Sequence, residues 1–502
     1  MSSEFSRRQF IRTAALGSVS VALASRLGAQ PGKLSQKPNL LVFLPDQLRA
    51  DIVFGPNTEA VHAPAMQKLA SQATIFERAY VTQPICAPSR SSLFSGTWPH
   101  TNGCTNNQQS LPLKFKCLPE MLGDSDYRCA NIGKWHLGDE FSAQHGFQEW
   151  VSIEEAFKSA SGHKIQGVTD YTKYLIDSGH KPDHGKFFSR TYSRNLPFEL
   201  SKAKFLETKT CEFLERNRDR PFIAFVAFIE PHPPYTGPFN DEHPLDSITL
   251  DQSNADHFGE DMPLHYRLRE EVYRKRYDGD AQRYREIKQK YLGLITEIDR
   301  CIANILAKLD ALGLSDRTIT VLTSDHGDMM SAHGLLGKRF MFDQSASVPY
   351  VVRIPGQQNQ IRVAQPISHI DFAPTILDLL GKTPDAQCVG KSRAPLVRGQ
   401  QMPPDPVFVE WAPGKEKINK HTKLAGKDQV KQALLEYTRA VVTGDGWKLC
   451  LRDKDKNELY NLRDDPDERH NLYSDASKRD VIAHLTDEIH RWQEQTADSV
   501  KV

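Results

Sequence analysis

The segment Asn39-Leu40-Leu41-Val42-Phe43-Leu44 runs directly into Pro45-Asp46-Gln47. A short apolar run closed by proline reads as a buried strand, and the carboxylate after it stands at the strand's carboxyl end. Four more runs have the same form. Tyr127–Ile132 leads into Gly133-Lys134-Trp135-His136, and Phe222–Ile229 into Glu230-Pro231-His232. Thr318–Thr323 leads into Ser324-Asp325-His326-Gly327, and Ser347–Ile354 into Pro355-Gly356. Helical patterns lie between them, as at Ala203–Arg216 and Tyr284–Leu312. Strands alternating with helices predict an α/β fold with a large, mostly parallel sheet sandwiched by helices. In open sheets of this kind ligands bind beyond the carboxyl ends of the strands. Asp46, Lys134, His136, His232, Asp325 and His326 all fall there, so residues far apart in sequence are expected to meet along one sheet edge.

Beyond about residue 385 the pattern changes. Pro/Gln/Lys-rich stretches separate short strand candidates at Val407–Trp411 and Thr438–Val442, followed by Gly446–Leu449, Glu458–Leu462 and a helix from about Asp475 to Thr496. The expected organisation is a catalytic unit over 36–385 and a smaller α+β subdomain over 386–502. The highly charged stretch 240–285 reads as an irregular surface insertion. A chain of 502 residues buries a large core, and 64 Lys+Arg against 63 Asp+Glu leave a net charge of +1, so no global field favours nucleic acid.

Cys86-Ala87-Pro88-Ser89-Arg90-Ser91-Ser92-Leu93-Phe94-Ser95-Gly96 carries the densest chemistry. Pro88 suits the first turn of a helix, where its missing N–H costs nothing, and Gly96 suits its end. Cys86 then lies at the helix N-terminus, where backbone N–H groups and the dipole favour an anion. Arg90, one turn later, can point at the same anion. Physically, the same residues also suit an ordinary thiol nucleophile, or a free cysteine ahead of a capped helix.

C-x-P-S-R followed by S-x-x-x-G-x-x-P-x-x-x-G, present from Cys86 to Gly103, resembles the signature of the type I sulfatases. Gly133-Lys134-Trp135-His136-Leu137-Gly138, Pro231-His232-Pro233-Pro234 and Asp325-His326-Gly327 with His333-Gly334-Leu335 and Lys338 resemble further blocks of that family. The resemblance spans Asn39 to about Leu472 and implies an alkaline-phosphatase-like fold that hydrolyses a sulfate ester of a carbohydrate or aryl alcohol. It implies that a maturation enzyme converts Cys86 to formylglycine, whose hydrate attacks sulfur, with Arg90 stabilising the nucleophile. Lys134 and Lys338 would bind sulfate, and His136 would hydrogen-bond the formylglycine hydroxyl and assist its release from a covalent sulfo-enzyme. His232, held between prolines, suits protonation of the leaving alcohol. Asp46, Asp325, His326 and the matured Cys86 would hold a metal, with Gln47 a further candidate. Oxygen-rich ligation favours Ca²⁺ or Mg²⁺, one imidazole admits Mn²⁺, and the family favours Ca²⁺. His333 has a weaker claim, to orienting a ligand or substrate, and Asp328 and Asp343 read as structural.

The first block departs from the family's commoner Asp-Asp-Gln, since Pro45 cannot ligate through a side chain. A single aspartate there also occurs in choline sulfatases and phosphonate monoester hydrolases of the same superfamily. A phosphonate monoester or phosphodiester hydrolase is therefore the first alternative, and an inactive sulfate- or glycan-binding relative the second. Retention of Cys86, Arg90, Lys134, His136, His232 and Lys338 argues against the second.

Ser6-Arg7-Arg8-Gln9-Phe10-Ile11 precedes a weakly apolar run from Ala14 to Ala24, with small-residue cleavage sites near Ala24 and Ala29. This resembles a twin-arginine export signal over 1–29, which makes the chain a client of that machinery and places it in the bacterial periplasm or outside the cell. The run is too short for a stable membrane anchor. If Cys86 is consumed, the remaining seven of eight cysteines cannot form a complete disulfide framework, and most read as small core residues. Arg7→Lys combined with Arg8→Lys is predicted to hold the precursor in the cytoplasm. Wild-type levels of that variant in the periplasm would refute the reading of 1–29.

Overall fold

Along the strand Asn39–Phe43 (β1), successive side chains point to opposite faces. Leu41 and Phe43 enter one hydrophobic cluster, and Leu40 and Val42 enter another. Every strand near the middle of the sheet divides in the same way. Ala224 and Val226 face the first cluster while Ile223 and Phe225 face the second. A sheet with two buried faces needs cover on both. One face is covered by the helices Lys202–Arg216 and Ala281–Ala311, through residues such as Phe205, Phe213, Ile295 and Ile302. The other is covered by the helices Cys86–Ser95 (α1) and Phe372–Leu379, through Leu93, Phe94, Phe372 and Ile376. The computed structural model describes residues 37–55, 58–154, 167–414 and 422–502, so the export-signal reading of 1–29 lies outside the described residues.

In chain order the further strands of this half are Thr74–Phe76 (β2), Ala79–Tyr80 (β3), Arg128–Gly133 (β4), Glu149–Val151 (β5), Phe222–Ala227 (β6) and Thr318–Thr323 (β7). Ser347–Val348 (β8), Tyr350–Arg353 (β9), Ile361–Val363 (β10) and Ile367–Ser368 (β11) complete it. The main sheet has eight strands in the order β10-β2-β9-β7-β1-β6-β4-β5. β7, β1, β6, β4 and β5 are parallel, as expected, but β9 is antiparallel to both its neighbours, which makes the sheet mixed. The expected single strand over 347–354 is broken at Pro349, which has no N–H to give to a ladder. β8 instead joins β3 and β11 in a separate three-stranded sheet.

Val407–Trp411 (β12), Thr438–Val442 (β13), Trp447–Arg452 (β14) and Glu458–Asn461 (β15) form a four-stranded antiparallel sheet. The helix Arg479–Thr496 packs Leu485 and Ile489 on one of its faces, against Val441, Leu449 and Leu459. Its other face packs Val409, Ala440 and Cys450 with Tyr80 and Ile85 of the main body. The charged stretch 240–285 is more ordered than its composition suggests. It holds the helix Leu264–Tyr277, whose Tyr266 is buried with Phe340 and Phe342. All eight cysteines are free thiols and six are buried. Among the described residues no helix is long and apolar enough to cross a membrane.

Gly133 closes β4 at φ 118°, where a Cβ would sit 2.1 Å from the Ala227 carbonyl oxygen of β6. Gly133→Ala is predicted to destabilise by about 3 kcal/mol or more, since strain and a backbone clash add. Gly313→Ala, at φ 67° with open space around it, should cost only about 1 kcal/mol. Urea unfolding measures both, and equal losses would contradict the clash.

Candidate active site

Asp46 follows β1 and is bridged to Pro231 beyond β6, Lys134 follows β4, and Asp325 and His326 follow β7. These parallel strands bring their carboxyl ends to one edge. α1 starts at Cys86, after the extended Ile85, and ends at Gly96 in the left-handed region, with Pro88 in the first turn. The cysteine therefore sits at a helix N-terminus facing that edge. Lys338 arrives on the loop after β7. Asp328 shapes that loop by accepting the backbone N–H groups of Met330 and Gly337 at 2.8 and 2.7 Å.

Cys86 Sγ lies 3.0 Å from Lys338 Nζ, 3.2 Å from His326 Nε2 and 3.9 Å from Asp46 Oδ1. Lys134 Nζ donates to Asp46 Oδ2. Arg90 donates from Nε to Asp325 Oδ2 at 2.8 Å and from Nη1 to the Lys134 carbonyl at 2.9 Å, while its buried Nη2 has no protein partner. His326 Nε2 is 3.5 Å from Asp46 and 3.6 Å from Asp325. Ligand atoms of Asp46, Cys86, Asp325 and His326 all lie within 4.8 Å of one another. Two carboxylates, an imidazole and residue 86 in such a cluster fit a divalent cation.

The electrostatics follow from burial against this crowd of charges. Burial disfavours ionised Asp46, yet Lys134, His232 and Lys338 outweigh it and hold the carboxyl well below its usual range. Burial and Asp46 oppose a thiolate at Cys86, but Lys134, Lys338 and His326 bring that thiol well below its ordinary value. Burial, then Lys134, pushes His136 down to about 4 against a hydrogen bond with Cys86. Burial, then Lys338, depresses His232, so both histidines are neutral near pH 7.

Gln47, at φ 77°, gives its backbone N–H to Asp325 Oδ1 at 3.1 Å, and its Oε1 accepts from Lys338 Nζ at 2.9 Å. Its amide nitrogen is held by Asp328 and Tyr235. His333 does not reach the site. It stacks on Phe342 at 4.3 Å, and its Nε2 hydrogen-bonds the Asp467 carbonyl at 2.9 Å, so it is a core histidine. Asp343 ties the two halves together through Lys448 and the Tyr80 hydroxyl.

Two contributors have no local sequence signal. Arg190, pinned by Glu154, sits 3.3 Å from His232 Nδ1, which also lies 2.7 Å from the Pro233 carbonyl. The two contacts ask for opposite tautomers: Arg190 leaves the proton on Nε2, and Pro233 places it on Nδ1. Glu140 accepts the backbone N–H groups of Trp135 and His136 at 3.2 and 2.6 Å, which fixes the left-handed turn at His136.

Residues 38–382 match the family model described as Sulfatase. The chain belongs to the sulfatase family. A second model, N-sulphoglucosamine sulphohydrolase, C-terminal, matches residues 331–495 of this sulfatase. An ulvan-active sulfatase of Formosa agariphila is 29% identical over 74% of this chain and 66% of its own length, just under two-thirds. An N-acetylglucosamine-6-O-sulfatase of Bacteroides thetaiotaomicron is 24% identical over 95% of this chain and 90% of its own. Among solved structures, a phosphonate monoester hydrolase from Silicibacter pomeroyi superposes with a TM-score of 0.75 at 20% identity, covering 92% of this chain and 96% of the other. At that identity the likeness is one of fold.

Burial raises Glu140 to about 7 against an ordinary 4.5. Between those values the native state carries an extra proton. The stability tied to this residue is therefore fully present below about pH 4.5 and is lost as pH rises through about 7. Glu140→Gln is predicted to remove that slope, worth about 3 kcal/mol. Urea unfolding across the window measures it, and an unchanged slope would count against the buried-acid reading.

Proposed function

We propose that this sulfatase cleaves the sulfate ester of a sulfated carbohydrate or aryl alcohol, using formylglycine made from Cys86. The observation that carries the reading is the position of Cys86, at the head of α1 and in contact with Lys338 and His326. An anionic sulfuryl group brought to residue 86 meets two lysines, an arginine and the helix N-terminus, the preorganised charge that this chemistry requires. The carbohydrate preference rests on the named activities of the relatives.

The matured residue supplies a hydroxyl nucleophile on a carbon that can revert to an aldehyde, so sulfate departs without water attacking sulfur. Asp46, Asp325, His326 and residue 86 would hold Ca²⁺, with Mg²⁺ or Mn²⁺ as alternatives. A bound divalent cation there supplies Lewis-acid stabilisation of charge on the sulfuryl oxygens. The remaining work falls to the chain's own groups. Lys134 and Lys338 bind and neutralise the sulfuryl oxygens. Arg90, anchored on Asp325 and the Lys134 carbonyl, leaves Nη2 without a protein partner to donate to the nucleophile. Neutral His136 accepts the hydroxyl proton as sulfate leaves. His232 protonates the departing alcohol from Nε2, and the Arg190 contact favours the tautomer that carries that proton.

Maturation by a formylglycine-generating enzyme and twin-arginine export to the periplasm or medium complete the proposal. The phosphonate monoester hydrolase alternative has the fold likeness and Pro45 in its favour. In this chain Pro45 supplies only its carbonyl, which accepts from Ser324 Oγ at 2.9 Å.

Wild type is expected to turn over an aryl sulfate faster than a phosphonate monoester, and Cys86→Ala to turn over neither. The reverse preference would transfer the chain to the alternative. For His232→Ala, loss of kcat/KM should reach on the order of 10²–10⁴ on an alkyl or sugar sulfate. The loss should be much smaller on a nitrophenyl sulfate, whose phenolate leaves unaided. Equal losses would remove His232 from the acid role.

A further inference from the structure

Among the described residues a second group of metal-ligating side chains converges away from the active site. Ligand atoms of Cys117, Glu120 and His145 lie within 4.8 Å of one another, and His145 Nδ1 is 3.4 Å from Glu120 Oε2. Cys117 is fully buried at the head of the short helix Leu118–Leu122, with Glu120 in its first turn. His145 comes from a different segment, is 3% exposed, and has neither ring nitrogen hydrogen-bonded. A buried imidazole with neither nitrogen hydrogen-bonded, and only a carboxylate oxygen 3.4 Å from Nδ1, costs stability unless something takes a lone pair.

The backbone is bent to bring the histidine there. His145 has φ 50°, and the next residue, Gly146, has φ 81°, where a Cβ would meet Glu120 Cγ at 2.8 Å. Only a glycine lets the two segments approach this closely.

We infer that Cys117, Glu120 and His145 bind a zinc-class divalent cation. Thiolate, carboxylate and imidazole are the ligand types zinc selects, and bonds of about 2.0–2.3 Å bring such ligands about 3.5 Å apart, a modest contraction of the present cluster. The charges close as well. One thiolate and one carboxylate neutralise a dication, which suits a buried site. A thiol ligates as its thiolate, so binding releases the Cys117 proton to solvent as the metal–sulfur bond forms. Water completes the coordination where Glu120 reaches the surface.

The cation would clamp the segment around His145 to the helix Leu118–Leu122. Trp135, next to Lys134 and His136, packs on the His145 ring at 5.8 Å. The clamp therefore backs the loop that carries two active-site residues, without touching substrate.

The test uses the full chain carrying Cys86→Ala, so that the active site offers no thiolate, in buffer with excess Ca²⁺. Titration with Co²⁺ should give a thiolate-to-cobalt charge-transfer band that saturates at one equivalent and is displaced by Zn²⁺. The band should vanish on adding Cys117→Ser or His145→Ala, and Zn²⁺ should raise Tm only in the parent. Circular dichroism establishes folding, and Glu120→Gln, at a partly exposed position, serves if either buried variant fails to fold. In that variant Co²⁺ affinity should fall at least about tenfold. A folded parent without the band, a band that survives Cys117→Ser, or unchanged affinity in Glu120→Gln would overturn the proposal. None of these readouts depends on turnover, so the result is independent of the sulfatase mechanism.

Discussion

A fully buried guanidinium must have its N–H groups answered from inside the protein, or the fold bears the cost. At Nε and Nη1 Arg90 is answered by the Asp325 carboxylate beyond β7 and by the Lys134 carbonyl beyond β4, and only Nη2 is left open. One side chain from α1 thus joins two strand ends, at Gly133 and Thr323, that are separated by more than a third of the chain. Asp325 in turn receives the Gln47 N–H from beyond β1. Removing one member of such a buried pair leaves the other charged and alone, typically at about 3–5 kcal/mol. The same ties set the distances around residue 86, so stability and site geometry share one set of interactions.

The sheet edge that carries the candidate site was legible because its residues sit directly after strands of unmistakable pattern. β1, β4, β6 and β7 appear within a few residues of their expected places, and parallel pairing then leaves their carboxyl ends little choice of position. The failures have specific physical causes. Pro349 interrupted what read as one strand and sent its two halves into different sheets. Tyr266 and Leu268 are buried in two different clusters from a helix whose charged residues dominate its composition. His333 stands in a stretch resembling a family block, yet packing between Phe258 and Phe342 decides its surroundings. Arg190 and Glu140 could not be found at all, because their significance comes from contacts with His232 and His136 that no local spacing encodes.

The C-terminal sheet contributes more than a lid. Glu410 of β12 donates its N–H to the Thr82 carbonyl, and its carboxylate accepts from the His100 backbone, so β12 braces the chain on both sides of α1. Lys448 of β14 reaches Asp343 and Glu468. Strands 300 residues downstream of Cys86 therefore help hold the helix that presents it.

All ten residues of α1 are buried, and Cys86 itself is 1% exposed. No second protein can grasp a segment enclosed in this way and hold it extended in its own cleft. If Cys86 is oxidised as proposed, that step falls in the interval between synthesis and closure of the sheet over α1, and folding competes with it as a clock. The fraction of active molecules then reflects a race between two rates. A substitution that speeds folding would yield a sounder protein and a poorer enzyme, with nothing changed at the site itself.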